Sequence, residues 1–175
     1  MLLYLIYQRL LRSYTNIDNH IQPIEELFRE YLVWANSRAN SEFGVGFNVN
    51  NVFNQDFNKL DKVTLPGGCL LLAKYELNIF VWVGLRKIDE ESGEIKRMYV
   101  RPEYQRKVME RRLLEALIEE ARCIGYSKIK LDSAPFAREA RAFYQKMGFR
   151  DIDPYPESEA PREYYSQWAF MEISL

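Results

Sequence analysis

From residue 21 onward the apolar positions fall into two textures. Over IQPIEELFREYLVWANSR, residues Ile24, Leu27, Phe28, Tyr31, Leu32 and Ala35 recur every three or four positions, the spacing of a helix with one buried stripe. Pro23 lies in its first turn, where a missing N–H costs nothing. Residues 36–66 are rich in Asn and Phe with weak periodicity, which predicts a loop holding one short helix near Val52 to Leu60. After Pro66-Gly67-Gly68 the runs CLLLAKY, IFVWVGLRK and EIKRMYV are β-rich, and the separators ELN and DEESG are hairpin-length, so an antiparallel meander is expected. From Gln105 to Ile124 the set Met109, Leu113, Leu117, Ala121 and Ile124 marks a long helix stopped by Gly125. KIKLD then reads as a strand, REARAFYQKMGF as a helix closed at Gly148, and EYYSQWAFMEISL as a last alternating strand.

This order predicts an α/β fold: a mixed, mostly antiparallel central sheet flanked by helices, built as a three-strand meander followed by helix, strand, helix and strand. With 175 residues, 47% of them hydrophobic, the chain suits a single domain over 1–175. The run MLLYLIYQRLLR is interrupted by Gln8, Arg9 and Arg12 short of the roughly 20 residues a bilayer span needs, so a buried strand or short helix is expected there and no membrane partner.

Charge narrows the chemistry. The 24 basic and 25 acidic residues nearly cancel, so no overall field draws nucleic acid, and any anion site must be local. The run 101–112 carries an excess of basic residues without interleaved stacking aromatics, which argues against nucleic acid as its partner. Cys69 and Cys123 sit in apolar segments and are read as core thiols of a cytoplasmic protein. His20 has no ligand-spaced partner, so no metal is expected, and the phosphate-loop and nucleophile-elbow patterns are absent.

What remains is EIKRMYVRPEYQRK, a long helix, and ARAFYQKMGF. The stretch from Gly68 to Phe149 resembles the GNAT superfamily of acetyl-CoA-dependent N-acetyltransferases. The resemblance implies acetyl-CoA as co-substrate, an amine of a small molecule or peptide as acceptor, and is compatible with a homodimer. In the family the turn after the strand reads Gln or Arg, two variable residues, Gly, one variable residue, then Gly or Ala, and its N–H groups hold pyrophosphate at a helix N-terminus. Gln105 matches the first position, but Val108 and Glu110 stand where the glycines belong. A β-branched residue forced to positive φ costs about 1–3 kcal/mol, and Glu110 brings a like charge toward phosphate. Arg106, Lys107, Arg111 and Arg112 oppose that cost as possible side-chain clamps, although the same charges also read as a solvated helix face paired to i+4 neighbours. The implied cofactor wall is thus Gln105, Arg106, Lys107, Val108, Met109, Glu110 and Arg111, with the backbone of Met98, Tyr99 and Val100 holding the pantetheine arm.

The family reaction is direct attack of the amine on the thioester. Glu94 matches the usual place of the general base, and strand alternation groups it with Lys96, Met98 and Val100; the plainer reading pairs it with Lys96 or Arg97. Tyr144 matches the tyrosine that protonates the leaving thiolate, or else packs in the core with Ala140 and Met147. Ala137 stands where many members carry Asn. Phe28, Tyr31, Trp34, Tyr155 and Tyr164 are candidates to line an amine pocket, core packing being the alternative. The departures in the turn leave a second function open: a non-catalytic scaffold, impaired toward acetyl-CoA, that binds a ligand or protein.

Overall fold

The computed structural model of the chain describes residues 21–57, 63, 66–75, 78–104 and 107–175, with the side chains of 74, 75, 78–80 and 107 excepted. The expectations for residues 1–12, His20, Gln105, Arg106 and the Lys107 side chain lie outside the described residues.

Helix α1 (Ile21–Phe43) buries Ile24, Leu27, Phe28, Leu32 and Ala35 of the predicted stripe, and leaves its sixth member, Tyr31, half-buried. It runs further than its apolar pattern, because Arg38 and Glu42 pair at 2.7 Å one turn apart and the helix stops only at Gly44, whose φ is 66°. Helix α2 (Val49–Phe57) starts earlier than predicted. Asn48 is the reason: its Oδ1 accepts the backbone N–H of Asn51 at 2.9 Å, an N-cap signal hidden among many asparagines.

Strands β1 (Cys69–Tyr75), β2 (Asn78–Lys87) and β3 (Ser92–Val100) form the expected antiparallel meander. Helix α3 (Lys107–Ile124) then crosses to β4 (Lys128–Ser133), which lies parallel to β3. Helix α4 (Arg138–Lys146), a two-residue β5 (Arg150–Asp151) and β6 (Ala169–Ser174) complete a six-stranded sheet in the order β1-β2-β3-β4-β6-β5. The last strand is shorter than its alternation suggested. Arg162–Tyr164 forms a 3-10 turn, and Tyr165 and Trp168 pack on a small cluster of Tyr155, Ala160 and Phe170.

Each face of the sheet has its own core. On one side Val83, Leu85, Ile95, Ile129 and Met171 meet Leu114 and Leu117 of α3; on the other Leu70, Leu72 and Trp82 meet Leu27, Phe28 and Leu32 of α1. Each fully buried leucine contributes about 1.5–3 kcal/mol. Gly125, at φ 104°, ends α3 as predicted, and the Tyr126 N–H returns to the Ala121 carbonyl at 3.0 Å. The two cysteines part ways: Cys69 is buried, but Cys123 is exposed. Cys123 lies two residues beyond buried Ala121, about 200° around the helix, and so points away from the core. No helix among the described residues is long and apolar enough to cross a membrane.

Candidate active site at a notch between parallel strands

Strands β3 and β4 pair only where Ser92, Gly93 and Glu94 meet Lys128, Ile129 and Lys130. Beyond Glu94, β3 continues from Ile95 to Val100 without a register on β4, so the sheet opens into a notch. A bulge shapes this edge. Trp82 faces Tyr99 and Gly84 faces Lys96, which leaves Arg97 and Met98 together opposite Val83. Arg97 takes φ 57°, and no other non-glycine among the described residues has positive φ. A non-glycine in that conformation costs about 1–3 kcal/mol and persists only where its surroundings hold it.

The bulge also corrects the predicted alternation. Ile95, Met98 and Val100 turn to the α3 core, and Tyr99 to the α1 core. Glu94 and Lys96 share the face that carries Arg86, so of the residues grouped with Glu94 only Lys96 stays with it. Nothing in EIKRMYV, which lacks a glycine at the bulge, announced this.

Glu94 is fully buried and enclosed by donors. Tyr155 donates to Oε1 at 2.6 Å, Lys96 Nζ lies 3.1 Å from the same oxygen, and Arg86 Nε donates to Oε2. Arg86 also reaches the Glu159 carboxylate at 3.0 Å and the Glu157 carbonyl at 2.6 Å, tying the 155–160 loop to the sheet. Lys96 lies 3.7 Å from Asp132 and 3.5 Å from Glu159. Burial, with the Glu94 charge added, raises the Tyr155 pKa, so its phenol stays a donor. The other partner expected for Glu94, Arg97, instead pairs with Asp56 of α2 and lies 3.5 Å from the Tyr31 hydroxyl.

Tyr144 of α4 stands at the notch from the opposite side. It is 7% exposed, its ring packs on Phe143 and Phe149, and its hydroxyl lies 3.5 Å from the Met98 sulfur. Burial raises its pKa, with Tyr31 and Asp132 adding to the shift, so the phenol keeps its proton. Core packing and a reach into the notch therefore belong to the same side chain. Ala137, at the N-cap of α4, makes no side-chain cap hydrogen bond.

The predicted pocket aromatics divide. Phe28 is core and Tyr155 is enclosed, whereas Tyr31 and Trp34 of α1 reach the notch. There they meet Tyr99 and Phe136, neither of which the sequence singled out for its ring. Arg86 and Asp132 were missed as well, and Arg97 was considered only as a partner for Glu94. Asp132 had a legible signal: it is the acidic residue that closes KIKLD, on the polar side of an alternation whose other two polar positions are Lys128 and Lys130.

The mixed six-stranded sheet, with β4 reached from β3 by a helical crossover, matches the fold of known proteins. Residues 21–149 match the Acetyltransferase (GNAT) family. The chain belongs to that family. It is 27% identical over 157 residues to an uncharacterized N-acetyltransferase of Schizosaccharomyces pombe, covering 87% of this chain and 90% of that one. An IAA acetyltransferase of Azospirillum brasilense is 39% identical over 77 residues, 43% of this chain and half the length of that relative. Among solved structures, a GNAT acetyltransferase of Staphylococcus aureus superposes with a TM-score of 0.66 at 24% identity, covering 86% of this chain and 92% of that one. The PaiA N-acetyltransferase of Thermoplasma acidophilum, solved with coenzyme A, covers 99% of this chain and 100% of that one with a TM-score of 0.64 at 16% identity.

In this GNAT chain the turn into α3 differs from expectation in its physics. Val108 lies within the first turn of α3 without positive φ, so the predicted left-handed strain does not arise, and its side chain is 59% exposed. Arg111 pairs along the helix with Glu115 at 2.8 Å, as the solvated-face reading foresaw. Glu110 does not: the residue four positions on is Leu114, and its Oε2 is buried with no hydrogen-bond partner. Met109 packs against the α3 core.

Proposed function

We propose that this GNAT protein transfers the acetyl group of acetyl-CoA to a primary amine of a small molecule or peptide by direct attack on the thioester. The observation that carries the reading is the notch between β3 and β4 with the Tyr144 hydroxyl beside it. The pantetheine arm would lie along β3 beyond Glu94 as an added strand, against the backbone of Met98, Tyr99 and Val100. The phosphates would meet the first turn of α3, where Val108 leaves space by pointing to solvent and the helix N-terminus favours an anion. Gln105, Arg106, Lys107 and Arg111 remain the proposed polar surround of those phosphates.

In the reaction the amine nitrogen bonds to the acetyl carbon, the C–S bond breaks, and the thiolate takes the Tyr144 proton. A raised pKa guarantees that this proton is present at neutral pH. Glu94, closed off from solvent, serves as a positioning residue: it holds Lys96 and, through Arg86, the 155–160 loop around the acceptor side. One proton of the arriving ammonium leaves through that charged network before attack, and the second, released from nitrogen as the amide forms, restores the Tyr144 hydroxyl.

Glu110 favours a second reading, a scaffold that binds a partner without turnover, because its buried, unanswered carboxylate oxygen stands in the first turn of α3. The test is release of free thiol from acetyl-CoA across a broad panel of primary amines, wild type against Tyr144→Phe. Amine-dependent release that falls in the variant supports the enzyme; no release with any amine favours the scaffold.

A further inference from the structure

We propose that the acceptor is an aromatic monoamine without a carboxylate, its ring held by Tyr31, Trp34 and Phe136 and its ammonium received by Asp132. This deepens the acetyltransferase reading and rests on it.

The rings come from separate elements that bound the notch: Tyr31 and Trp34 from α1, Tyr99 from β3, and Phe136 from the turn after β4. Tyr31 and Trp34 lie 6.2 Å apart, Trp34 and Tyr99 6.3 Å, and Trp34 and Phe136 6.0 Å with nearly perpendicular planes. Core packing accounts for Tyr99, which is buried, and for the inner edge of Tyr31. It does not account for Trp34 and Phe136, which belong to none of the buried clusters although they touch each other, Trp34 being 38% exposed. An accessible pair of rings beside the proposed reacting centre is suited to stack an aromatic guest.

Charge decides what else the guest carries. Arg97 is answered by Asp56, Lys96 by Glu94, and Arg101 by Glu30. An acceptor carboxylate thus meets cations on this wall that already hold carboxylates. Asp132 is the opposite case. Its hydrogen bonds come from neutral donors, the Ser158 hydroxyl at 2.8 Å and the Trp168 indole at 3.5 Å, while Lys96 stands off at 3.7 Å and is shared with Glu94. With its side chain 18% exposed, Asp132 also lies near enough to Tyr144 and Arg97 to influence both. One ammonium fits such a carboxylate. The ammonium first gives one proton to Asp132; the free amine then bonds to the acetyl carbon as the C–S bond breaks. The thiolate takes the Tyr144 proton, and the second nitrogen proton, released as the amide forms, restores the Tyr144 hydroxyl, so the transfers balance.

The test is thiol release from acetyl-CoA with phenethylamine, phenylalanine, hexylamine and cadaverine, which share or lack the ring, the carboxylate and the second charge. The expected kcat/KM for phenethylamine exceeds each of the others by about tenfold or more. Trp34→Ala is expected to raise KM for phenethylamine about tenfold with KM for acetyl-CoA unchanged, and Trp34→Phe to restore it. Asp132→Asn should lower kcat with KM for acetyl-CoA unchanged, and an unchanged kcat would remove Asp132 from the proposal. Equal or faster turnover of phenylalanine, hexylamine or cadaverine, or a Trp34→Ala enzyme with unchanged KM, overturns the proposal. If no amine is turned over, the acetyltransferase reading fails on its own account. Saturable phenethylamine binding by NMR, lost in Trp34→Ala, then still supports the ring site, and its absence in the wild type removes it.

Discussion

Charge gathers in two regions of this molecule, and they behave differently. The turn and first helical turns at 101–112 are the most conspicuous basic stretch of the sequence, yet Arg111 and Glu115 lie on the surface with side chains 67% and 48% exposed. Around Glu94 the charges are scattered along the chain, from Arg86 to Glu159, and their side chains are 0% exposed at Glu94, 12% at Arg86 and 14% at Lys96. A surface pair is worth about 0–1 kcal/mol, whereas removing one partner of a buried group strands the others at a cost of about 3–5 kcal/mol. The density of charge in a sequence therefore says little about where charge matters. Burial, which depends on how distant segments meet, says much more.

The largest expected effect follows from that contrast. Glu94→Ala leaves Arg86 and Lys96 without their buried carboxylate and should destabilise the fold by about 3–5 kcal/mol in urea unfolding, while Glu94→Gln should lose less by keeping the shape and a hydrogen bond to Tyr155. Next comes Tyr144→Phe, expected to lower kcat about a hundredfold with KM for acetyl-CoA little changed, as read by thiol release. Tyr155→Phe removes a hydrogen bond to a charged acceptor and should cost about 1.5–3 kcal/mol.

The Tyr155 contribution has a pH signature. Its native pKa is raised above the ordinary 10.0, so the unfolded chain releases the phenolic proton first. The stabilisation is complete below about pH 10 and is lost as pH rises beyond it. Urea midpoints of the wild type should fall above that pH, and the fall should be smaller in Tyr155→Phe. Cys69, whose thiol burial pushes up to about 12, adds to the same alkaline loss from pH 9.0 upward. The smallest effect belongs to the exposed helix face: Arg111→Ala should change stability by about 0.3–0.5 kcal/mol.

Much of the fold was legible because its signals are local. The stripe of α1, the meander and the stops at Gly125 and Gly148 each depend on neighbours within a few residues. The site was less legible because its decisive features are not local. The bulge at Arg97 rests on Val83 opposite it, and on Asp56 and Tyr31 holding the guanidinium. The enclosure of Glu94 needs a loop more than sixty residues away, and Phe136 gains meaning only against Trp34. The family motifs located Glu94 and Tyr144 but could not say that one is sealed while the other reaches the notch.

The central claim, that the notch and the start of α3 take acetyl-CoA despite Val108 and Glu110, is tested most directly by calorimetric titration of acetyl-CoA into the wild type beside a Val108→Gly, Glu110→Gly double variant. Saturable binding by the wild type at one site, with micromolar affinity, is the predicted result. Binding by the double variant alone would contradict the account and return this chain to the role of a scaffold.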